Sequence, residues 1–176
     1  MSLHQSVVDT LTRWSTPDPA QDALRDAILT FVLAREDACL RACVPGHITA
    51  SALVLDHTGT QALLTLHPRL GRWVQLGGHC EDTDADIASA ALREATEESG
   101  IDGLVIDSMP AALHAHALTC SLGVPTHHLD VQFVARAPVD AQIVRSDESL
   151  DLRWWPLDGL PGGDFGLDQL ARAARH

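Results

Sequence analysis

Basic charge is what this sequence has least of. Twelve Lys and Arg stand against 24 Asp and Glu, which gives a formal net charge of −12 over 176 residues. That excludes a nucleic-acid polymer as the expected partner, because neutralising a phosphate backbone takes Lys and Arg. It leaves room for a small phosphorylated ligand, provided divalent cations bridge it to an acidic site. Tyrosine is absent, so the groups able to stack on a base reduce to Trp73, Phe133, Trp154 and Trp155. No apolar run approaches the roughly 18–20 residues of a membrane span. The opening residues, "MSLHQSVVDTLTRW", lack a basic segment followed by an apolar one, so a secretory signal is not expected and the cytoplasm is. Four cysteines are present, at positions 39, 43, 80 and 120. Cys39 and Cys43 are spaced to share a helix face. A zinc set would need two more ligands, such as Cys80 with His79, and the spacing fits no ribbon or finger. Reduced, mostly buried thiols are the expectation.

What is present is a folded chain. Hydrophobic residues make up 45% and charged residues 20%, enough for one domain with a sizeable core. Residues 1 to about 43 read as helical. Leu3, Val7, Leu11 and Trp14 form one stripe, "STPDP" interrupts it, and Leu24, Ile28, Phe31 and Val32 resume a helical period. Residues 1–45 are therefore expected as a helical extension, packed on the main domain of residues 46–176 or used for contact in a homodimer. The pattern then turns to strands. "ITASALVLD", "QALLTLH" and "RWVQL" lead into Gly77 and Gly78, and "LVIDSM", "ALHAHALTC", "HLDVQFVARA" and "LDLRWWPL" follow later. "LDQLARAARH" reads as a closing helix. Strands around a central helix predict an α/β or α+β fold with a mixed sheet between helices.

The central helix lies in "GGHCEDTDADIASAALREATEESGI", residues 77–101. Asp84 or Asp86 is the expected N-cap and Gly100 the expected terminator. At about 100° per residue, Ile87, Ala91, Glu94 and Glu98 fall on one line, with Glu97 about 80° away. Two glutamates thus prolong an apolar stripe instead of facing away from it. Glu94 and Glu98 also form a like-charge pair near the negative end of the helix dipole, so repulsion and dipole both oppose them. A divalent cation offsets both, since hard cations take several carboxylates. Arg93 is placed to orient one carboxylate through a bidentate pair. The glycine pair allows close approach of backbone to a ligand, and a carbonyl there can face the same cation.

These residues resemble the Nudix box, G-x5-E-x7-R-E-U-x-E-E-x-G-U with U aliphatic. Arg93, Glu94, Glu97, Glu98, Gly100 and Ile101 match its second half, with Ala95 in place of a larger aliphatic. The first half departs. Counting back from Arg93, the box glutamate falls on Ala85 and the box glycine on His79. Aligning Gly78 with that glycine needs one extra residue, and Asp84 then stands in for the glutamate. The likeness covers about residues 46–160, and the chain is similar to bacterial proteins with a "GGH" variant of the box. It implies a three-layer αβα sandwich. It also implies hydrolysis of a nucleoside diphosphate linked to another moiety, with Mg²⁺ or Mn²⁺. By the same resemblance, Glu94, Glu97 and Glu98 are metal ligands, joined by a carbonyl of Gly77 or Gly78. One of the glutamates also activates water, and Arg93 orients a carboxylate. A further acid is expected on a later loop, with Glu148 the candidate and Asp147 behind it.

For the substrate pocket, His79 follows the glycines directly. His67, His127, His128 and Asp130 are further candidates, as are Trp73 and Phe133. Two histidines converging on the carboxylates would indicate a metal softer than magnesium. His114 and His116 alternate with alanines and read as the solvent face of a strand. Trp154 and Trp155, adjacent on a strand, should face opposite ways. Two other functions share this pattern: an isomerase like isopentenyl diphosphate isomerase, opposed by glycine at position 77 where that family has its cysteine, and a non-catalytic ligand sensor, opposed by the intact glutamate set.

Overall fold

The computed structural model describes residues 1–119, 123–162 and 165–175; Cys120 lies outside them. Four helices and eight strands follow in the order α1 (Leu3–Arg13), α2 (Pro19–Ala34), β1 (Gly46–Leu55), β2 (Gln61–His67), β3 (Arg72–Val74), β4 (Leu76–His79), α3 (Ile87–Ser99), β5 (Val105–Ile106), β6 (Ala112–Thr119), β7 (Pro125–Arg136), β8 (Asp151–Pro156) and α4 (Phe165–Ala173). This is the expected α+β fold with a mixed sheet.

β1 is the hub. All ten of its residues are buried, as a strand covered on both faces requires. One edge is shared: β4 pairs antiparallel with its first half, through Thr49–His79, Ala50–Gly78 and Ser51–Gly77, and β2 pairs with its end. The other edge runs parallel to β7 over ten residue pairs, from Gly46–His127 to Leu55–Arg136. β6 and β5 extend the sheet beyond β7, and β3 and β8 extend it beyond β2.

Alternation along β1 divides the core in two. Ile48, Ala50, Ala52 and Val54 join Leu76, Val131 and Phe133 in one cluster with Ile87, Ala90, Ala91 and Ala95 of α3. Leu53 and Leu55 join Leu64, Val134 and the α4 residues Leu167, Leu170 and Ala171 in the other. The alanines of α3 bring its axis close to β1 and β4. Burying Ile87 at its start adds roughly 1.5–3 kcal/mol.

The N-terminal helices pack on the α3 side. Val7, Leu11, Trp14, Ile28 and Val32 belong to the same cluster as α3. Ser6 Oγ accepts the Ile87 N–H at 3.1 Å, satisfying a free donor at the start of α3. The Gln21 amide bonds both the N–H and the C=O of Leu113, at 2.7 and 2.9 Å. No helix among the described residues is long and apolar enough to cross a membrane.

Three expectations shift. Helix does not continue to residue 43. α2 ends at Ala34, where Arg35 turns extended and pairs with Asp37 at 2.7 and 2.8 Å. Residues 35–43 form successive turns, such as Ala38 N–H to Arg35 O and Cys43 N–H to Leu40 O. Cys39 and Cys43 therefore share no helix face, although both are free and buried. The strand expected over 104–109 is reduced to Val105 and Ile106.

Candidate active site

α3 starts at Asp86, whose side chain accepts the Ser89 N–H at 2.7 Å, and stops at Gly100 in the left-handed conformation with φ 67°. A side chain at Gly100 would strike Val144, 2.7 Å from the built Cβ. The apolar stripe leads into the glutamates as its spacing predicts. Glu98 is 8% exposed, the Glu94 side chain 13% and the Glu97 side chain 61%.

Arg93 organises the carboxylates. It makes a bidentate pair with Asp84 at 2.9 and 3.1 Å, reaches Glu94 at 2.9 Å and Glu97 at 3.2 Å, and donates to the His79 carbonyl at 3.0 Å. Burial pushes the Asp84 carboxyl up, but Arg93 and the Glu81 N–H together outweigh it and the group ends below its usual range. Glu98 has no such cation. Its carboxylate accepts the Gly77 N–H at 3.2 Å. Burial pushes its pKa up to about 8, with the charges of Glu94, Glu148 and Glu97 adding to the rise and the Gly77 bond opposing it. Glu94 is also raised, first by burial, against the pull of Arg93.

The glycine pair fits around these groups. A Cβ at Gly78 would lie 2.7 Å from Glu94 Oε2, so any side chain there would displace the Glu94 carboxylate. Gly77 has φ 155°, and a Cβ there would lie 2.4 Å from the Ser51 Cβ. Glu148 is brought to the same place from the loop before β8. That loop is tied to the end of α3 by Val144 N–H to Ser99 O at 2.7 Å, and to β2 by Ser149 Oγ to Thr65 Oγ1 at 2.5 Å. Glu148 is exposed, and its charge acts on Glu94, Glu98 and His67.

The opposite face of β4 carries different chemistry. His79 pairs across from Thr49, on the side of β1 that holds His47. His47 pairs with His128 of β7. The rings of His47, His79 and His128 lie 4.9–5.1 Å apart. Burial pushes His79 down to about 4 and His128 down to about 3, helped by neighbouring positive groups. Further along the same face, buried Asp130 accepts from Thr49 at 3.0 Å, Ser51 at 2.7 Å and Gln132 at 3.1 Å. The histidines converge on one another and not on the glutamates.

A family profile described as the NUDIX domain matches residues 45–174. The chain belongs to the NUDIX family. Solved structures share the fold. The MutT protein from Methanosarcina mazei Go1 matches with a TM-score of 0.56 at 22% identity, over 74% of this chain and 94% of its own. The NUDIX domain of Shewanella oneidensis NrtR, solved with ADP ribose, gives 0.55 at 23% identity, over 83% and 96%. The MutT NUDIX hydrolase from Burkholderia pseudomallei gives 0.53 at 20% identity, over 72% and 95%. No curated protein matches the sequence significantly.

The loop between Gly78 and α3 turns at Glu81–Asp84, closed by Asp84 N–H to Glu81 O at 3.0 Å. This turn delivers Asp84 to Arg93, a pairing not expected from the sequence. The other candidates divide. Phe133 has no exposed surface and packs in the α3 core, so its ring presents no face to a ligand; β7 alternation points it away from the side of His128. Trp73 packs edge-on to Trp155 with ring centroids 5.3 Å apart, and Arg153 lies over both. Trp154 and Trp155 do face opposite cores. His67 accepts the N–H groups of Arg69 and Leu70 at the turn after β2, and His127 is exposed.

His114 and His116 are more buried than Ala115 and Ala117 beside them, the reverse of the expected solvent face. His116 packs 5.2 Å from His128, and His114 meets α4 at Gly166. The residues that sequence reasoning missed are His47 and the convergence itself. Pairing across β4, β1 and β7 brings these rings together, and no local spacing signals it.

Proposed function

We propose that this Nudix protein hydrolyses a diphosphate bond in a nucleoside diphosphate linked to another moiety, with Mg²⁺ or Mn²⁺ as cofactor. The gathering of Glu94 and Glu98 against Gly78 and Gly77, with Glu97 held by Arg93 and the charge of Glu148 acting on both buried glutamates, carries this reading. The donor set fits a hard divalent cation: clustered carboxylate oxygens, two of them disfavoured as bare charges by burial and mutual repulsion. Glu94, Glu97 and Glu98 would hold it, with a carbonyl of Gly77 or Gly78. When bound, the cation would offset phosphate charge and lower the pKa of an attacking water.

The chain's own residues supply the rest. Arg93 fixes the Glu94 and Glu97 carboxylates while Asp84 fixes Arg93, so the ligand set is positioned before substrate arrives. The Gly77 N–H aims one Glu98 oxygen. Beside a bound cation Glu98 would stay ionised against its burial, so that its carboxylate can ligate the metal or take a proton from the attacking water. Glu148, exposed on its loop, adds a carboxylate on the solvent side. A cytoplasmic location accords with free thiols at Cys39, Cys43 and Cys80.

The test is a screen of nucleoside diphosphate derivatives with Mg²⁺ and Mn²⁺. It begins with ADP ribose, the molecule bound by the NrtR domain, and runs beside Glu98→Gln. Metal-dependent turnover that the variant loses supports the reading. Absence of turnover on every compound, or turnover equal in the variant, refutes it. No specific observation favours the isomerase-like or sensor alternatives; a cysteine side chain at position 77 would collide with Ser51.

A further inference from the structure

Three imidazoles meet on the face of the sheet turned away from α3. His47 comes from β1, His79 from β4 and His128 from β7. Their ligand nitrogens lie within 4.8 Å of one another. The Nε2 of each is buried and has no hydrogen-bond partner. His47 is 1% exposed. One buried polar atom without a partner is a cost to folding, and three converging on one point are a pattern that calls for an occupant. Proton placement supports this. His47 Nδ1 lies 3.4 Å from the Cys43 carbonyl. That contact puts the ring proton on Nδ1 and leaves the Nε2 lone pair without a partner, the arrangement of a metal-ligating histidine with its backbone carbonyl behind it.

We infer that His47, His79 and His128 form a binding site for one borderline transition-metal ion, of the class of Zn²⁺, separate from the carboxylate cluster. The donors are neutral nitrogens with no carboxylate among them. Mg²⁺ asks for oxygen ligands, so this set selects Zn²⁺, Co²⁺, Ni²⁺ or Cu²⁺ instead. Zn–N bonds of about 2.0–2.1 Å put tetrahedral ligand atoms about 3.3–3.4 Å apart. The rings must therefore close by up to about 1.5 Å, a movement on the scale of side-chain rotation. Three ligands leave one coordination position for water or an added ligand. The ion would pin β4 to β1 and β7, one residue beyond Gly77 and Gly78. The site does not depend on the hydrolase reading, and no cysteine takes part in it among the described residues.

The experiment is a titration of the full, chelator-stripped chain with Co²⁺ in excess Mg²⁺, which occupies the carboxylates. The expected result is one Co²⁺ per chain with the intense visible bands of tetrahedral coordination, bleached by one equivalent of Zn²⁺. The Glu94→Gln/Glu98→Gln double variant keeps the bands. His47→Gln and His128→Gln each weaken binding by more than about tenfold, the loss that even an outer-shell partner produces. A second readout needs no variant: the Co²⁺ form of the unmodified chain should show three exchangeable, paramagnetically shifted imidazole N–H proton signals. Weak octahedral bands alone, fewer than three such signals, or bands lost in the glutamate variant but kept in His128→Gln would each overturn the inference.

Discussion

The two faces of β4 carry opposite chemistries. Gly78 turns its open side to Glu94, and His79, the next residue, turns to His47 and His128. One side gathers charged oxygen donors and is partly neutralised by Arg93. The other gathers neutral nitrogen donors with no counter-ion in the cluster. Burial acts on both and shifts them in opposite senses, Glu98 up to about 8 and His128 down to about 3, because it disfavours whichever form is charged. Strand alternation lets a four-residue strand present two donor sets on opposite faces, with its backbone between them.

The largest expected effect breaks the acidic side. Glu98→Gln should lower metal-dependent turnover by about 10²–10⁴-fold, the range of a lost proton acceptor, measured as initial rates at saturating Mg²⁺. Gly78→Ala should follow, at about 100-fold, because the new methyl displaces Glu94 from a position where about 1 Å matters. Circular dichroism should show the variant folded.

Arg93→Ala comes next and reads out on stability. It strips the cation from buried Asp84 and from Glu94. The expected loss is about 3 kcal/mol in denaturant unfolding, the low end for breaking a buried pair because the Arg93 side chain keeps 20% exposure.

The smallest effects are pH slopes, and they separate the faces by sign. Glu98 has a folded pKa of about 8 against an unfolded value near 4.3. Between those values the folded state holds the extra proton, so the metal-free protein should lose stability as pH rises through this window. Glu98→Gln should remove that fall. His79 and His128 have folded values of about 4 and about 3, below the unfolded value near 6.5. Here the unfolded state holds the extra protons, so stability should rise as pH climbs from about 3 to 6.5 and then level off. Unfolding free energy measured against pH, with His128→Gln beside Glu98→Gln, assigns each limb.

The acidic side was legible in the sequence because its information is local. Helical period alone put Glu94 and Glu98 on the line of Ile87 and Ala91, whereas the reach of Asp84 to Arg93 depends on a loop turn that no period describes. The histidine side was not legible. His47, His79 and His128 are far apart in the chain and meet only because β4 and β7 flank the same stretch of β1. Alternation tells which residues share a face, but not which face is covered. His114 and His116 show this: the polar members of an alternating strand turned inward, since α4 and β7 offered their rings packing that the intervening alanines did not need. Phe133 failed as a pocket residue for the same reason in reverse, its face of β7 being the one that α3 closes.

On the proposed function, the glutamates of α3, and not the histidines behind them, hold the hard divalent cation. Mn²⁺ titration followed by electron paramagnetic resonance tests it most directly, with the unmodified chain, Glu98→Gln and the His47→Gln/His128→Gln double variant side by side. Tight Mn²⁺ binding that Glu98→Gln weakens by at least about tenfold and the histidine variant leaves intact is the predicted result. Mn²⁺ affinity untouched by Glu98→Gln, or abolished by the histidine substitutions, would contradict it.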